Sequence, residues 1–311
     1  MAINKAFLGH GIFTEYSITN ALGRFKNYGG GTPATTPSDQ IARFVAAMRD
    51  MEIQNVWIQI FTRDQKFDMD ATSAPLRKEL ITALINANIA WAGWGYCAGA
   101  NAARDLDWIT KFKNDLGMQA FVIDAEPEAA KQKDVWTAAD FKTFVSGVSQ
   151  LFGIDNLALS TWPCVQLRED SVKTLMKIAE PFICLFAPQA YWMDYPSNVH
   201  YHTLGYSMTD FPPHDPVSFV RMMIRAWADA GFTKPLVISG QAYWENSSPS
   251  KAVMNQKAAA FATHFANWNQ ILGFNWYHAG KADNTDADGS MSDEMIAAII
   301  QAKLGAKPYK T

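Results

Sequence analysis

Cysteine is scarce in this 311-residue chain: Cys97, Cys164 and Cys184 are the only three, and they lie far apart. An odd number at such distances forms neither a disulfide framework nor the paired spacing of a zinc site. We therefore expect three buried thiols in a protein that is made in a reducing compartment.

Positive and negative charges are nearly balanced, and the sequence contains no long apolar run. The chain has 27 Lys and Arg residues against 30 Asp and Glu residues, so a basic surface for nucleic acid or an anionic membrane is not expected. No apolar run approaches the roughly 18 residues that a membrane-spanning helix needs. The first five residues also lack the features of a signal peptide. These absences predict synthesis in the cytoplasm, with delivery by cell lysis or a phage particle if the substrate lies outside the cell.

Several sequence motifs of other enzyme classes are missing too. The chain has no Gly-x-Ser-x-Gly, no phosphate loop of the Gly-x-x-x-x-Gly-Lys type and no cysteine in a recognisable protease context. Its only glycine run, Gly29-Gly30-Gly31, is followed by Thr-Pro rather than by a helix start. It therefore predicts a flexible loop and not the phosphate-binding turn of a doubly wound sheet.

What the chain does contain is a regular alternation of short apolar runs and longer amphipathic ones. The apolar runs are continuous in hydrophobicity, as in parallel strands covered on both faces. They comprise residues 6–13, 55–61, 89–97, 119–126, 156–162, 182–192, 235–244 and 273–279. The helical patterns comprise residues 38–51, 75–87, 102–116, 138–152, 170–179, 216–230, 251–270 and 292–304. Eight strands alternating with eight helices, without a linker, predict an α/β fold with a single (β/α)8 TIM barrel as one domain over residues 1–311. An open doubly wound sheet is the alternative.

Two carboxylates mark the end of the fourth predicted strand, Asp124 and Glu126. The active site of such a barrel lies at the C-terminal ends of its strands. Because strand side chains alternate, both acids are expected to point into the barrel mouth. Two carboxyl groups placed in this way tend to retain one proton, and a carboxylic acid can protonate the leaving oxygen of a glycosidic bond. The structural alternative is that one acid caps a helix and the other binds backbone, while Glu128 is expected to be a solvated charge.

Aromatic residues are the most unusual part of the composition, because seven of the eleven tryptophans fall in the predicted strands. At the strand ends they repeatedly accompany an amide, a combination that suits a neutral ligand with many hydroxyl groups. A phosphate ligand would need Arg, Lys and glycine turns instead. For any single aromatic residue, core packing is the alternative. The predicted substrate-binding residues are Gln189, Gln241, Tyr243, Trp276, His278, Trp162, Trp57, Gln59, Trp94 and Glu245.

On these residues the sequence resembles barrel glycoside hydrolases that cleave N-acetylhexosamine polymers, namely the family 18 chitinases and, more loosely, the family 25 lysozymes. Both families end strand four in Asp-x-Glu, here Asp124-Ala125-Glu126. The chitinase-like pattern also has a Tyr at the end of strand six and a Trp on strand eight, which Tyr191 and Trp276 match. The resemblance implies that Glu126 is the general acid and that Asp124 and Tyr191 are catalytic residues that hold the acetamido group of the substrate. It also implies that Trp276 forms the floor of the cleavage subsite.

The same resemblance implies a substrate-assisted mechanism, in which the acetamido oxygen acts as the nucleophile. The expected partner is a polysaccharide such as peptidoglycan or chitin, and no cofactor is expected. Two departures from the family patterns stand out. Residues 119–122 supply no acid where chitinases have an acidic string, and strand one has His10 where the lysozymes have Asp, with Glu15 following later.

Two alternative functions stay open. One is a retaining endo-β-glycosidase that uses Glu126 and Glu245, because Ala125-Glu126-Pro127 differs by one residue from the Asn-Glu-Pro string of such enzymes. The other is a catalytically silent barrel that binds glycans or serves as a structural subunit of a larger assembly.

Two patterns that resemble metal sites are weak. His200 and His202, with His214 nearby, lie in a long segment after the sixth strand rather than on a strand, so a loop that shapes the substrate groove is expected. Residues 284–289 resemble the start of a calcium loop, but its twelfth position is Met295 instead of a bidentate Glu. No metal is predicted.

Overall fold

A computed structural model describes residues 2–62, 65–67, 73–127, 135–167, 170–192, 204–207, 209, 215–242, 251–265, 271–279 and 291–302. Within this part of the chain, eight parallel strands close into a barrel, because the first strand pairs with both the second and the eighth. The strands are β1 (Gly9–Thr14), β2 (Asn55–Thr62), β3 (Ala90–Tyr96), β4 (Phe121–Asp124), β5 (Leu157–Thr161), β6 (Leu185–Ala190), β7 (Val237–Gln241) and β8 (Gly273–Ala279). The predicted (β/α)8 barrel is confirmed.

The described residues form nine α-helices. They are α1 (Ile18–Arg24), α2 (Pro37–Asp50), α3 (Ser73–Asn86), α4 (Ala102–Leu116), α5 (Ala138–Phe152), α6 (Asp170–Ala179), α7 (Pro216–Asp229), α8 (Lys251–Phe265) and α9 (Asp293–Ala302). Helices α2 to α9 correspond to the eight predicted patterns. The helix α1 was not predicted, because seven residues that include Gly23 carry too little periodicity.

Local sequence explains where several of these helices start and stop. The Thr137 hydroxyl accepts a hydrogen bond from the Asp140 N–H at 3.0 Å, and the Ser292 hydroxyl accepts one from the Met295 N–H at 3.1 Å. Each bond satisfies a donor that the first turn of a helix leaves without a partner. Gly117 ends α4 with a φ of 62°, a left-handed conformation that glycine adopts at low cost.

Strand alternation divides the apolar side chains into an inner and an outer layer. The inner layer fills the barrel and contains Phe13, Trp57 and Trp94. The outer layer lies between the strands and the helices and contains most of the remaining buried residues, among them Trp276 and Phe261. Consecutive residues of one strand therefore belong to different layers, and this division decides which side chains can reach the mouth.

The barrel closes where β1 meets β8. A β-carbon on Gly273 would lie 2.4 Å from the backbone oxygen of Gly9, so this contact accommodates glycine alone. The register then shifts by one residue further along, because Ile12 pairs with Trp276 whereas Thr14 pairs with Ala279.

Two further findings concern the described residues as a whole. Cys97, Cys164 and Cys184 are free thiols and all three are buried, as predicted. No described helix is both long enough and apolar enough to cross a membrane.

Candidate active site

Asp124 and Glu126 meet at one amide at the C-terminal end of the barrel. Asp124 is the last residue of β4, and Glu126 lies two residues beyond the strand rather than within it. The Nε2 atom of Gln189, near the end of β6, donates to Asp124 Oδ1 at 3.1 Å and to Glu126 Oε1 at 2.6 Å. It also lies 3.4 Å from the Ser160 hydroxyl of β5. The structure thus brings together three of the predicted site residues across three neighbouring strands.

The surroundings of Asp124 favour its protonated form. Burial raises its pKa well above the usual value, and the adjacent Glu126 carboxylate raises it further. Hydrogen bonds from Ser160 and Gln189 act in the opposite direction, and the charge of Glu15 raises the pKa again. Two like charges this close disfavour double ionisation, which agrees with the expectation that the pair retains one proton.

Glu15 is a third carboxylate at the mouth, and the sequence did not identify it as a site residue. It directly follows β1, and its Oε1 accepts a hydrogen bond from the Tyr277 hydroxyl at 2.8 Å. Its Oε2 lies 2.9 Å from His278 Nε2. The available signal was an acid at the C-terminal end of the first strand, but the predicted strand ended one residue too early, at Phe13.

The surroundings of Glu15 favour its ionised form. Burial alone would raise its pKa, but attraction to His278 and hydrogen bonds with His278 and Tyr277 outweigh burial and lower the pKa below the usual value. The predicted site residue His278 therefore reaches the mouth as a partner of Glu15.

Tyr277 and Tyr191 form an aromatic wall between the two groups of acids. Their ring centroids are 5.5 Å apart with an interplanar angle of 33°, and both side chains are half-buried. The backbone N–H of Tyr191 donates to the Gln189 carbonyl at 3.0 Å, which ties the ring to the residue that binds both acids. Burial and the charge of Glu15 raise the pKa of Tyr277 well above its usual value, so its hydroxyl stays a hydrogen-bond donor.

Trp276 does not form the floor of a subsite, which corrects the expectation from the family pattern. Its side chain is fully buried in the outer layer, where its ring lies 5.3 Å from that of Phe261 in α8. Its Nε1 donates to His10 Nε2 at 2.6 Å. Burial lowers the pKa of His10 to about 3, so the imidazole is neutral and can accept this bond. Tyr277, the next residue, faces the mouth instead.

Trp57 and Trp94 are also interior residues rather than exposed binding surfaces. The Nε1 of Trp57 donates to the Ala6 carbonyl, which precedes β1, at 2.7 Å, and the side chain is fully buried. Trp94 donates to the Thr14 carbonyl at 2.9 Å, and its ring lies 6.2 Å from that of Tyr277. Trp57 therefore fills the barrel, while Trp94 supports the aromatic wall from within.

The remaining predicted side chains in the described part support the mouth. Gln59 is buried and its Oε1 accepts a hydrogen bond from the Tyr16 N–H at 2.5 Å, next to Glu15. Trp162 donates from Nε1 to the Pro127 carbonyl at 3.2 Å and so holds the segment that follows Glu126. Gln241 ends β7 and is fully buried. Gln59 and Gln241 are thus buried beneath the mouth, whereas Trp162 is only partly buried and its predicted contact with substrate stays a prediction.

Several predictions concern residues whose structure is not described. Glu128, Tyr243, Glu245, His200, His202, His214 and residues 284–289 all lie outside the described residues. Within the ranges that are described, no group of three or more His, Cys, Asp or Glu side chains is placed to hold a metal ion.

Comparisons with known proteins indicate similarity of structure alone. No protein-family model matches the chain, and no curated protein matches it. A family 1 β-glucosidase from Exiguobacterium antarcticum B7 superimposes with a TM-score of 0.57 at 13% identity, over 99% of this chain and 100% of that one. A glycoside hydrolase of family 5, subfamily 18, from Bifidobacterium longum subsp. infantis gives 0.59 at 7% identity, over 97% and 80%.

The catalytic domain of a family 18 chitinase from the fern Peteris ryukyuensis gives a TM-score of 0.53 at 10% identity, over 94% of this chain and 99% of that one. At identities this low, similarity of structure establishes the barrel fold and nothing about the reaction.

Proposed function

We propose that the protein is a glycoside hydrolase that cleaves an N-acetylhexosamine-containing glycan, such as peptidoglycan or chitin, with Glu126 as the general acid. The observation that carries this proposal is the contact of both Asp124 and Glu126 with the Gln189 amide at the barrel mouth. A carboxyl pair that retains a proton beside a partly open aromatic wall suits the protonation of a glycosidic oxygen. The similar solved structures, among them a β-glucosidase and a chitinase, give the proposal further support.

The proposed reaction is substrate-assisted. Glu126 donates its proton to the glycosidic oxygen while the bond from that oxygen to the anomeric carbon breaks. The acetamido oxygen of the same sugar attacks the anomeric carbon and forms a cyclic oxazolinium ion. Glu126, now ionised, takes a proton from water, and this water opens the ring at the anomeric carbon. Asp124 and Tyr191 hydrogen-bond to the acetamido group and hold its oxygen in position.

The test of this proposal is the release of reducing ends from peptidoglycan and from chitin by the wild type and by Glu126→Gln. The substitution keeps the size of the side chain and removes the transferable proton, so we expect activity to fall by at least about a hundredfold. Glu79→Gln is the matched control, because Glu79 is exposed on α3.

The other outcomes separate the alternatives. Equal activity of the wild type and Glu126→Gln would assign the chemistry to another acid and overturn the role of Glu126. Binding of glycan oligomers without any cleavage by the wild type would favour the catalytically silent barrel.

A further inference from the structure

Tyr16 is the one aromatic residue that the described part of the chain leaves exposed. It is 43% exposed, whereas every other Trp, Phe and Tyr side chain that the structure describes is buried or half-buried. Removing an aromatic ring from water is strongly favourable. In a chain that covers its other described rings, an exposed ring beside the barrel mouth is therefore a candidate contact for a ligand.

Tyr16 lies on the rim of the mouth, directly after Glu15. Its backbone N–H donates to the Oε1 atom of Gln59 in β2, and its hydroxyl hydrogen-bonds with the Glu15 carboxylate. Glu15 in turn accepts from Tyr277, whose ring lies beside that of Tyr191. The exposed ring is thus connected to the aromatic wall, but on the side of β1 and β2 rather than on the side of the acid pair.

The separation from the acid pair is that of two neighbouring strand intervals. Strand β3 lies between β2 and β4, and adjacent strands are about 4.8 Å apart. A single sugar ring does not reach from a ring at β2 to carboxyl groups at β4. A glycan that contacts both must therefore place different sugar units against them.

The Tyr16 ring is supported from behind by Phe67. The two ring centroids are 6.2 Å apart with an interplanar angle of 86°, so the rings meet edge to face. Phe67 is itself buried and fixed: its N–H donates to the Ile60 carbonyl at 3.0 Å, and its carbonyl accepts from Arg77 Nη2 at 2.8 Å. A ring that is held in place before a ligand arrives loses little conformational freedom on binding.

The backbone of Tyr16 has a left-handed conformation, with a φ of 63°. The other described non-glycine residues with positive φ are Glu52 and Asn88, which follow the ends of α2 and α3, where a left-handed residue commonly ends a helix. Tyr16 ends no helix, and a bulky side chain is strained in this region. Such strain is concentrated at sites that bind ligands, where the surrounding contacts maintain it.

We propose that Tyr16 is a stacking platform for a sugar ring of the bound glycan, in a subsite separate from the one at the acid pair. The axial C–H groups of a pyranose form an apolar face that packs on an aromatic ring, while the hydroxyl groups at its edge stay hydrated. The inference rests on the proposed function, because it assigns a second sugar-binding position in the same mouth. Tyr16 lies outside every predicted strand and helix, so no sequence pattern points to it.

The first experiment compares the binding of N-acetylglucosamine oligomers of two and of six residues by calorimetry. Every protein carries Glu126→Gln, so that the oligomers are not consumed. Tyr16→Ala should weaken the six-residue oligomer by at least about tenfold and the two-residue oligomer by less than about threefold. Ile85→Ala, which removes an exposed apolar side chain from α3, is the matched control and should leave both affinities unchanged. Equal weakening of both oligomers by Tyr16→Ala would overturn a separate subsite.

Two further variants separate stacking from the other contacts of Tyr16. Tyr16→Phe keeps the ring and removes the hydroxyl that bonds to Glu15, so it should bind the six-residue oligomer within about twofold of the parent. Tyr16→Asn removes the ring but adopts the left-handed conformation more readily than Ala, so its loss of affinity cannot come from the backbone. A loss in Tyr16→Phe as large as that in Tyr16→Asn would assign the effect to the hydrogen bond and overturn the platform.

A direct measurement needs no substitution at Tyr16. With the six-residue oligomer bound, the ring protons of Tyr16 should give nuclear Overhauser effects to axial protons of one sugar unit. A bound oligomer that gives none would place the glycan elsewhere and overturn the inference.

Failure of this inference can be told from failure of the proposed function. A wild type that binds the oligomer through Tyr16 but cleaves no glycan overturns the proposed function and leaves the inference standing. An active wild type whose KM for long substrates is matched by that of Tyr16→Asn overturns the inference alone. A wild type that binds neither these oligomers nor the glycan strands of peptidoglycan overturns both.

Discussion

On the two sides of the barrel mouth, the surroundings shift the pKa of a carboxyl group in opposite directions. On the β4 side, burial and the adjacent Glu126 carboxylate raise the pKa of Asp124, although Ser160 and Gln189 hydrogen-bond to it. On the side where β1 meets β8, Glu15 has separate partners for its two oxygens, and its pKa is lowered although it too is buried. Burial alone does not decide whether an acid is charged, because an adjacent opposite charge together with hydrogen-bond donors can outweigh it, as at Glu15.

The largest effect on the pH dependence of stability is expected from Asp124→Asn. Because the pKa of Asp124 is raised in the folded protein, its contribution to stability is present below the unfolded value near 3.8 and is lost as pH rises through the folded value. Asn cannot ionise and escapes this loss. The free energy of unfolding of the wild type should therefore decline relative to the variant, by at most about 1.4 kcal/mol per pH unit.

Urea unfolding at several pH values between 4 and 8 measures this difference, with Asp293→Asn as the control for loss of a carboxylate at an exposed position. Parallel curves for the wild type and Asp124→Asn would show that Asp124 ionises normally in the folded protein. The pKa values of Asp124 and Glu15 would then not be shifted in opposite directions.

For Glu15→Gln, the difference in free energy of unfolding from the wild type should depend on pH in the opposite direction and over a narrower pH range. The folded pKa of Glu15 lies below the unfolded value of 4.5, so its contribution to stability is present above pH 4.5 and is lost as pH falls through the folded value. The wild type should be more stable than the variant by the largest margin at neutral pH, and their free energies of unfolding should converge at acidic pH. The same unfolding series extended to pH 2.5 checks this, and an advantage that grows as pH falls would contradict it.

The smallest effect is expected from Tyr277→Phe. The change removes one donor to Glu15 and keeps the ring beside Tyr191, so the pKa of Glu15 should rise toward its usual value by about one unit or less. Carboxyl ¹³C titration of Glu15 measures the shift. The Asp124 titration serves as the internal control, and a larger change at Asp124 than at Glu15 would show that the substitution had disturbed the mouth itself.

The fold and the β4 side were accessible from sequence because their signals are local. Apolar runs and amphipathic segments alternate clearly enough to define the barrel, and Asp-x-Glu places two acids at one strand end within three residues. Gln189 could be predicted for the same reason, since it lies at the end of a strand close to β4.

The arrangement on the side where β1 meets β8 could not be predicted from the sequence, because it depends on contacts between distant parts of the chain. Both faces of β8 carry aromatic residues, so the pattern does not distinguish the outward Trp276 from the inward Tyr277. Their assignment depends on the pairing of β8 with β1 and β7, in which Trp276 lies opposite Ile12 and Gly240, and no local segment encodes this pairing. Glu15 can be recognised as a site residue only from its contacts with Tyr277 and His278, and these contacts form when the barrel closes.

This closure has a consequence for the order in which the mouth can form. The bond between Gln189 and Asp124 joins residues 65 positions apart, whereas the bond between Tyr277 and Glu15 joins residues 262 positions apart. Contacts between distant parts of a chain carry a higher entropic cost and form more slowly than local ones. A nascent or partly folded chain can therefore assemble the acid pair early, but it gains the anion opposite them only when β8 docks against β1. An intact contact between Tyr277 and Glu15 therefore reports that the whole barrel has closed.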